Sequence, residues 1–154
     1  MFQDLKKALT TSPVLAKPDW NKPFKLYTDA CKTGLGAILA QNDEKGIEHV
    51  ICYASKGTNK EEQNYEAMKI ECLAVKWAIQ HFNYYLAGRH FTVITDHSAL
   101  KWLFSKKEPS GQYARWIAAL QEYDFEVQYQ KGRIHQNVDV LSRILYNGAQ
   151  GRVQ

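Results

Sequence analysis

Alternating apolar and polar positions predict three short β-strands in the first third of the chain. They cover Phe24–Thr28, Leu35–Gln41 and His49–Ser55. The turn Asn42–Gly46, with glycine at its end, separates the second strand from the third, and a short connection containing Gly34 separates the first from the second. Because connections this short join antiparallel neighbours, we expect these strands to form an antiparallel meander.

The middle of the chain has the three- and four-residue spacing of an amphipathic helix. Thr58 and Glu61 fit a capping box at its start, and Gly88 fits its C-terminal end. Between them the pattern predicts one continuous helix with a single apolar face. That face consists of Tyr65, Met68, Cys72, Val75, Ile79, Phe82 and Leu86.

Two further strands and three further helices are predicted after the long helix. The strands are His90–Thr95 and Phe125–Tyr129, and the helices are residues 98–104, Ser110–Glu122 and Asn137–Leu145. This order of elements favours an α/β fold, in which five strands form one mixed sheet flanked by helices.

Composition limits the class of protein. A chain of 154 residues is long enough for one domain with a real core, and a formal charge of +4 suits a polyanionic partner. The three cysteines include no CxxC pair, which indicates a reducing compartment rather than a zinc site or a disulfide framework. No apolar run reaches the length of a membrane span.

Four acidic residues stand where a carboxylate is costly or conspicuous. Asp29 and Asp96 end apolar strands in the sequences YTDA and ITDH, and strand ends are common ligand sites in α/β sheets. Glu71 lies inside the long helix on a face of small residues, which predicts that it packs against the sheet. Asp139 lies in the first turn of the last helix. The small residues beside Glu71 are Ala67, Ala74 and Ala78.

Each of these acids also has an ordinary structural explanation. Aspartate after a strand is often a turn former, glutamate in a helix is usually solvated, and Asp139 can pair with the helix dipole or with Arg143. Four converging carboxylates, however, would repel one another unless cations bridged them. Oxygen ligands select hard cations such as Mg²⁺ or Mn²⁺, and two such ions can promote phosphodiester hydrolysis. Spacing alone leaves both explanations open.

Ordered motifs cover most of the chain: TDACKTGLGAILAQ, the segment from YASKGTNK to SALKWL, ARWIAALQEYDFEVQYQKG, and NVDVLSR. Together they resemble the ribonuclease H domain of reverse transcriptases from gypsy-type long-terminal-repeat retrotransposons, from about Phe2 to Arg143. The resemblance implies an RNase H-like fold in which strands 1 to 3 form the antiparallel meander. It assigns residues 1–22 to the end of the reverse transcriptase connection, 23–146 to the RNase H domain and 147–154 to a disordered tail.

The resemblance also implies a function. The expected activity is an endonuclease that hydrolyses the RNA strand of RNA–DNA hybrids with two Mg²⁺ ions, for which Mn²⁺ can substitute. The catalytic, metal-binding acids of the family map onto Asp29, Glu71, Asp96 and Asp139. The expected partners are the hybrid and a covalently linked polymerase domain, with no membrane. The expected location is the cytoplasm, within a virus-like particle, or the nucleus.

Such a nuclease must recognise nucleic-acid shape and 2′-hydroxyl groups rather than sequence. Candidate substrate contacts near the acids are Ala30, Cys31, Gly34, Gln63, Asn64, Tyr65, His97 and Ser98. Candidate phosphate contacts are Lys56, Lys60, Lys101, Lys106, Lys107 and Arg115. Aromatic residues at helical spacing are more typical of a core, and on that ground Trp77, Tyr84, Tyr85, Trp102 and Trp116 are left out of the site.

Two other classes of protein share parts of this pattern. A non-catalytic scaffold or nucleic-acid-binding module with the same fold would be favoured by loss of an acid, and all four acids are present. A DDE-type integrase or transposase usually takes its third acid from a helix after the strand that carries the second. Here the acid-bearing helix precedes that strand, which argues against strand transfer. Cellular nucleases that the chain resembles carry a histidine on a loop before the last helix, and this chain has no clear equivalent; His135 is nearby, and we interpret it as helix entry or loop structure.

Overall fold

The computed structural model describes residues 15–106 and 108–131. Its strands are β1 (Phe24–Cys31), β2 (Gly34–Asn42), β3 (Glu48–Gly57), β4 (His90–Thr95) and β5 (Asp124–Tyr129). They form one sheet in the order β3-β2-β1-β4-β5. The first three strands pair antiparallel, whereas β4 is parallel to both β1 and β5. The predicted α/β fold with a five-stranded mixed sheet is confirmed.

Helices connect the strands and cover one face of this sheet. They are α1 (Ala67–His81), α2 (Asn83–Leu86), α3 (Ser98–Ser105) and α4 (Gly111–Ala119). The predicted helix Asn137–Leu145 and the tail 147–154 lie outside the described residues. In the part of the chain that is described, no helix is both long and apolar enough to cross a membrane.

The prediction of a single helix from Thr58 to Gly88 is wrong at both ends. Its first part is a short 3-10 turn, Glu62–Asn64, and α1 begins only at Ala67. Near its end, the backbone of Phe82 (φ −95°, ψ 25°) leaves the α-helical region and separates α1 from α2. The ring of Phe82 stays in the core at 4% exposure, which is why the apolar pattern continued through the break.

The predicted capping box is displaced by one residue and belongs to the 3-10 turn. The Asn59 N–H donates to Glu62 Oε1 at 2.9 Å, and the Glu62 N–H donates to Asn59 Oδ1 at 2.8 Å. The Thr58 hydroxyl instead donates to the Lys32 carbonyl oxygen at 2.6 Å. This bond ties the segment before α1 to the turn between β1 and β2.

The main core lies between α1 and the sheet. Phe24 and Leu26 of β1 and Val93 of β4 meet Val75 and Ile79 of α1, and all of these side chains are at most 1% exposed. Burying one such side chain stabilises the fold by about 1.5–3 kcal/mol. This packing holds α1 against the centre of the sheet.

A smaller core lies on the other face of the same strands. Its members are Tyr27 of β1, Ile38 and Ala40 of β2, and Ile94 of β4. Because side chains alternate along a strand, Asp29, two positions after Tyr27 on β1, continues on this face. Asp96 follows directly after the end of β4.

The aromatic residues assigned to the core divide into two groups. Trp116 is buried at 8% exposure, and Trp77 and Tyr85 are partly buried against the main core. For Tyr84 and Trp102 the assignment is wrong, because they are 79% and 57% exposed. Each precedes a more buried neighbour on its helix, and consecutive helical residues point about 100° apart.

Candidate active site

Two predicted acids lie at the carboxyl ends of neighbouring parallel strands. β1 and β4 pair in a register that places Tyr27 opposite Ile94. Asp29 therefore follows on β1, and Asp96 follows directly after the end of β4. The carboxyl ends of parallel strands share one edge of the sheet, where α/β proteins commonly bind ligands.

Glu71 reaches the same place from α1. Its side chain is only 7% exposed, and Ala74 and Ala78, further along the helix, are fully buried. Small side chains allow close approach of the helix to the sheet, so the predicted burial of Glu71 is confirmed. Ala67 was predicted to lie on this buried face, but it is exposed because it is the first residue of the helix.

The three acids converge. Asp29, Glu71 and Asp96 each present a carboxylate oxygen, and these oxygens all lie within 4.8 Å of one another. Like charges at this separation repel strongly when water is excluded. The fourth predicted acid, Asp139, lies outside the described residues.

Of the three acids, Glu71 has a strongly raised pKa. Burial raises the pKa of the Glu71 carboxyl to about 8, and the charges of Asp29 and Asp96 contribute to this rise. The nearby Ala30 N–H lowers the pKa of Glu71, but it offsets only part of this rise. The Ala30 N–H donates its hydrogen bond of 2.9 Å to Asp29 Oδ1. The metal-free cluster therefore favours a proton on Glu71 at neutral pH.

The donor set fits a hard divalent cation. Glu71 Oε2 is buried, and no group among the described residues donates a hydrogen bond to it. Such an acceptor is costly unless a cation or a proton satisfies it. The three acids supply only carboxylate oxygens, which are the ligands that Mg²⁺ and Mn²⁺ prefer.

A cleft of about 320 Å³ opens beside Glu71, between the β1–β2 turn and the start of α1. It is lined by four of the predicted substrate contacts, Ala30, Cys31, Gln63 and Tyr65. Gly34 pairs with Cys31 at the turn, whereas Asn64 is exposed on the 3-10 segment and does not line the cleft.

The remaining predicted contacts flank Asp96. His97 is half-buried, and in the described part of the chain its buried Nδ1 finds no hydrogen-bond partner. Ser98 is exposed at the first turn of α3. These two residues therefore lie beside the acidic cluster but not in the cleft next to Glu71.

The structure also adds cleft residues that the sequence did not suggest. They are Glu62, Ala67 and Ile70, whereas Lys32, which also lines the cleft, lies within the predicted contact segment Ala30–Gly34. Of these, only Glu62 had a signal in the sequence, because Asn59 and Glu62 have the three-residue spacing of a capping box. The prediction placed that box one residue too early, at Thr58 and Glu61.

The basic residues proposed as phosphate contacts are more scattered. Lys60, Lys101, Lys106 and Arg115 are exposed, Lys56 is half-buried, and Lys107 lies outside the described residues. The Lys106 ammonium lies 5.0 Å from the centre of the Trp102 ring. None of the described ones lines the cleft beside Glu71.

Comparison with known proteins agrees with this geometry. Residues 19–123 match the family described as "RNase H-like domain found in reverse transcriptase". Two similar relatives come from Drosophila melanogaster. The Pol polyprotein from transposon 297 is 42% identical over 93% of this chain, and that from transposon gypsy is 32% identical over 99% of it. The chain spans only 13% and 14% of these two relatives.

Solved structures support the fold. A foamy viral protease-reverse transcriptase in complex with an RNA/DNA hybrid superposes with a TM-score of 0.57 at 18% identity, covering 82% of this chain and 18% of that one. LC11-RNase H1 in complex with an RNA/DNA hybrid gives a TM-score of 0.56 at 15% identity, covering 77% of this chain and 92% of that one. The chain therefore belongs to the family of RNase H-like domains found in reverse transcriptases, and its similar relatives are retrotransposon Pol polyproteins.

Proposed function

We propose that this chain is a hybrid-specific endonuclease, which hydrolyses the RNA strand of an RNA–DNA hybrid during reverse transcription of a retroelement. The observation that carries the proposal is the convergence of three carboxylates within 4.8 Å at the carboxyl ends of β1 and β4. In a family of RNase H-like domains, such a cluster is better suited to hydrolysis than to a purely structural role.

Asp29, Glu71 and Asp96, together with Asp139, would hold two Mg²⁺ ions, for which Mn²⁺ can substitute. When bound, such a pair of ions activates a water and stabilises the leaving oxygen of a phosphodiester. Asp29 is central in this proposal, since its strand, β1, is the middle strand of the sheet and lies between β2 and β4. The expected products carry a 5′-phosphate and a 3′-hydroxyl.

The burial of Glu71 prepares it for this role. Its carboxylate is held against the sheet by α1, and its Oε2 lacks a donor among the described groups. A cation would satisfy that oxygen and favour the charged form over the protonated one. Glu71 would therefore carry its charge when a cation is bound.

The cleft beside the acids is the proposed path of the RNA strand. Ala30, Cys31 and Tyr65 line it. RNA is commonly recognised by its shape and by its 2′-hydroxyl groups. Gly34, Asn64, His97 and Ser98 are proposed to contact the hybrid on either side of this path. Two neighbours of the same fold, LC11-RNase H1 and the foamy viral enzyme, are described in complex with an RNA/DNA hybrid.

The similarity to Pol polyproteins supports a proposal about the complete protein and its location. Because the chain matches only a small part of each Pol polyprotein, we propose that a polymerase domain is covalently linked to it in the complete protein. Cleavage would then take place in the cytoplasm, within a virus-like particle, or in the nucleus.

A cleavage assay on a labelled RNA–DNA hybrid tests the proposal. We expect Asp29→Asn to lower the rate on the order of 10³-fold, because the cluster is assigned several kcal/mol of transition-state stabilisation. The matched control is Asp124→Asn, which changes an exposed aspartate on β5. Cleavage should require Mg²⁺ or Mn²⁺ and stop with chelator.

Two outcomes would contradict the assignment. If the folded Asp29→Asn variant cleaves at the unchanged rate, the metal-binding role of Asp29 is wrong. If the unchanged chain binds the hybrid but neither it nor the polymerase-linked protein cleaves, the chain is a binding or scaffold module.

A further inference from the structure

The cleft beside Glu71 lies between two segments that are distant in the sequence. We call residues 30–33, at the β1–β2 turn, the turn wall, and residues 62–67, which lead into α1, the helix wall. Ile70 and Glu71 of α1 complete the lining. The separation of the two walls therefore determines how much room the cleft offers to a bound strand.

One residue, Thr58, is bonded to both walls. Its hydroxyl donates to the Lys32 carbonyl oxygen at 2.6 Å, and its N–H donates to the Thr33 carbonyl oxygen at 3.3 Å. Its own carbonyl oxygen accepts a hydrogen bond of 3.4 Å from Gln63 Nε2. The N–H, the carbonyl and the hydroxyl of Thr58 thus all hold the turn wall to the helix wall.

The backbone conformation of the turn wall explains why outside support matters. β1 and β2 are joined by Lys32 and Thr33 alone, with Cys31 opposite Gly34 in the antiparallel register. Two-residue hairpin loops favour turn types in which at least one residue has a positive φ, since these match the twist of the strands. Neither Lys32 nor Thr33 has a positive φ. The loop is therefore not one of the favoured types, and Thr58 holds both of its carbonyl groups.

The helix wall is fixed independently of Thr58. The Tyr65 ring packs 6.1 Å from the ring of Trp116 on α4, and the Lys69 ammonium lies 4.2 Å from the centre of the Tyr65 ring. The Tyr113 hydroxyl of α4 donates to Glu66 Oε1 at 3.0 Å. These contacts anchor the helix wall to α4. The bonds of Thr58 therefore set the position of the turn wall relative to a fixed neighbour.

Thr58 is free for this role because it does not cap a helix. The sequence predicted that Thr58 and Glu61 form a capping box, but the reciprocal bonds join Asn59 and Glu62. The Thr58 side chain is half-buried, and its hydroxyl donates to the turn wall instead. The hydrogen bonds to the two walls thus account for its polar groups.

We propose that Thr58 is a positioning residue, which sets the separation of the two cleft walls and thereby the affinity for the hybrid. This inference rests on the proposed function, in which the RNA strand lies in the cleft. Thr58 does not itself line the cleft, so it acts through Lys32 and Thr33.

The effect falls on binding rather than on the chemical step. Asp29 is held by the ladder between β1 and β2, opposite Gly36, and Glu71 is held by the packing of α1. Thr58 instead bonds the two turn residues beyond that ladder. A looser turn wall would have to be ordered when the strand binds, and this ordering costs free energy. The acids would stay in place.

Steady-state cleavage of a labelled RNA–DNA hybrid by Thr58→Val and Thr58→Ser tests the proposal. Valine has nearly the shape of threonine without the hydroxyl, whereas serine retains the hydroxyl. We expect Thr58→Val to raise KM about fivefold, as is typical of the loss of one hydrogen bond, and to leave kcat within about twofold. Thr58→Ser should keep the KM of the unchanged chain.

The matched control is Thr92→Val. It removes the hydroxyl of a half-buried threonine on β4, a strand that does not line the cleft, and should leave KM unchanged.

Hydrogen exchange follows the same contact without cleavage. The amide of residue 58 donates to Thr33, so its protection relative to the unfolded chain reports how firmly the turn wall is held. This protection should fall about fivefold in Thr58→Val and stay unchanged in Thr58→Ser.

Three outcomes would overturn the proposal. One is an unchanged KM for Thr58→Val. Another is an equal rise in KM for Thr58→Ser, which would assign the effect to packing rather than to the hydroxyl. The third is a fall in kcat at unchanged KM, which would place Thr58 in the chemical step.

Failure of the nuclease proposal is distinguishable from failure of this one. If no form of the chain cleaves the hybrid, the dissociation constant of the hybrid takes the place of KM. The same pattern is then expected, with weaker binding by Thr58→Val and unchanged binding by Thr58→Ser and Thr92→Val. Equal binding by all of these variants would overturn the role of Thr58.

Discussion

The buried carboxyl of Glu71 should make the stability of the metal-free protein fall as pH rises. In the folded chain, burial raises the pKa of Glu71 to about 8 from an ordinary value of 4.5, with Asp29 and Asp96 contributing. Between these two values, the folded state keeps a proton on Glu71 that the unfolded state releases. The stabilising contribution is therefore complete below pH 4.5 and is lost as pH rises toward 8.

The size of the effect follows from the interval between the two pKa values. Each pH unit within it changes the free energy of unfolding by up to about 1.4 kcal/mol. From 4.5 to about 8 the loss is at most about 5 kcal/mol. Since a domain of this size is typically stable by about 5–15 kcal/mol, even half of this loss is large.

Denaturant unfolding of the unchanged chain and of Glu71→Gln, in chelator and at several values between pH 5 and pH 8, measures this contribution. Glutamine has a similar shape but cannot ionise. The difference in unfolding free energy between the two proteins should therefore shift by several kcal/mol over this range. Glu44→Gln, a substitution in the exposed β2–β3 turn, controls for loss of one surface carboxylate.

Divalent metal should reverse the trend, because a bound cation favours the charged form of Glu71. Free Mg²⁺ at 100 times its dissociation constant would stabilise the folded chain by about 2.7 kcal/mol. We expect more stabilisation at pH 8 than at pH 5, where the proton on Glu71 competes with the cation. Parallel pH profiles for the unchanged chain and Glu71→Gln in chelator would refute the reasoning from burial and repulsion.

Further predictions concern the scaffold around the site. Gly46→Ala should lower the free energy of unfolding by about 1 kcal/mol, because Gly46 has φ +81° with open space around it, and an unchanged melting temperature would contradict this. Ala74→Leu should cost about 1–3 kcal/mol in urea unfolding, since Ala74 is fully buried between α1 and the sheet. Gln41→Leu should speed hydrogen exchange at the Asp19 amide more than tenfold, equivalent to about 1.4 kcal/mol, because the Asp19 N–H loses its acceptor. Exchange at the unchanged rate would show that Gln41 does not hold the segment Leu15–Lys22 in place.

The sequence was most informative where side-chain alternation and chain order act together. His90–Thr95 was predicted with the bounds that the structure gives, because its apolar residues are bounded by clear polar positions. The convergence of Asp29, Glu71 and Asp96 was also predicted, since each ends or faces an element of the main core. Their catalytic role stays a proposal.

The sequence was least informative where one residue decides between similar local structures. The break at Phe82 keeps that side chain in the core, so the apolar spacing gave no sign of it. The exposure of Tyr84 and Trp102 depends on which neighbour on each helix faces the sheet. No local pattern in the sequence predicts that the segment Leu15–Lys22 is bound to the sheet, since Gln41 and Asp19 are 22 residues apart.

The topology of the chain explains why the three acids meet. After the meander, the chain crosses over through α1 and returns as β4, parallel to β1. Asp29, Glu71 and Asp96 thus come from the first strand, the crossover and the returning strand, so formation of this crossover assembles the cluster. The register between β1 and β4 is then decisive, because a slip of one residue would turn the side chains of β4 to the opposite faces of the sheet. The apolar residues that fix this register, Leu26 opposite Val93 and Tyr27 opposite Ile94, lie on the two different faces of the sheet. The packing on both faces therefore positions the carboxylates, and stability and proposed function depend on the same strand pair.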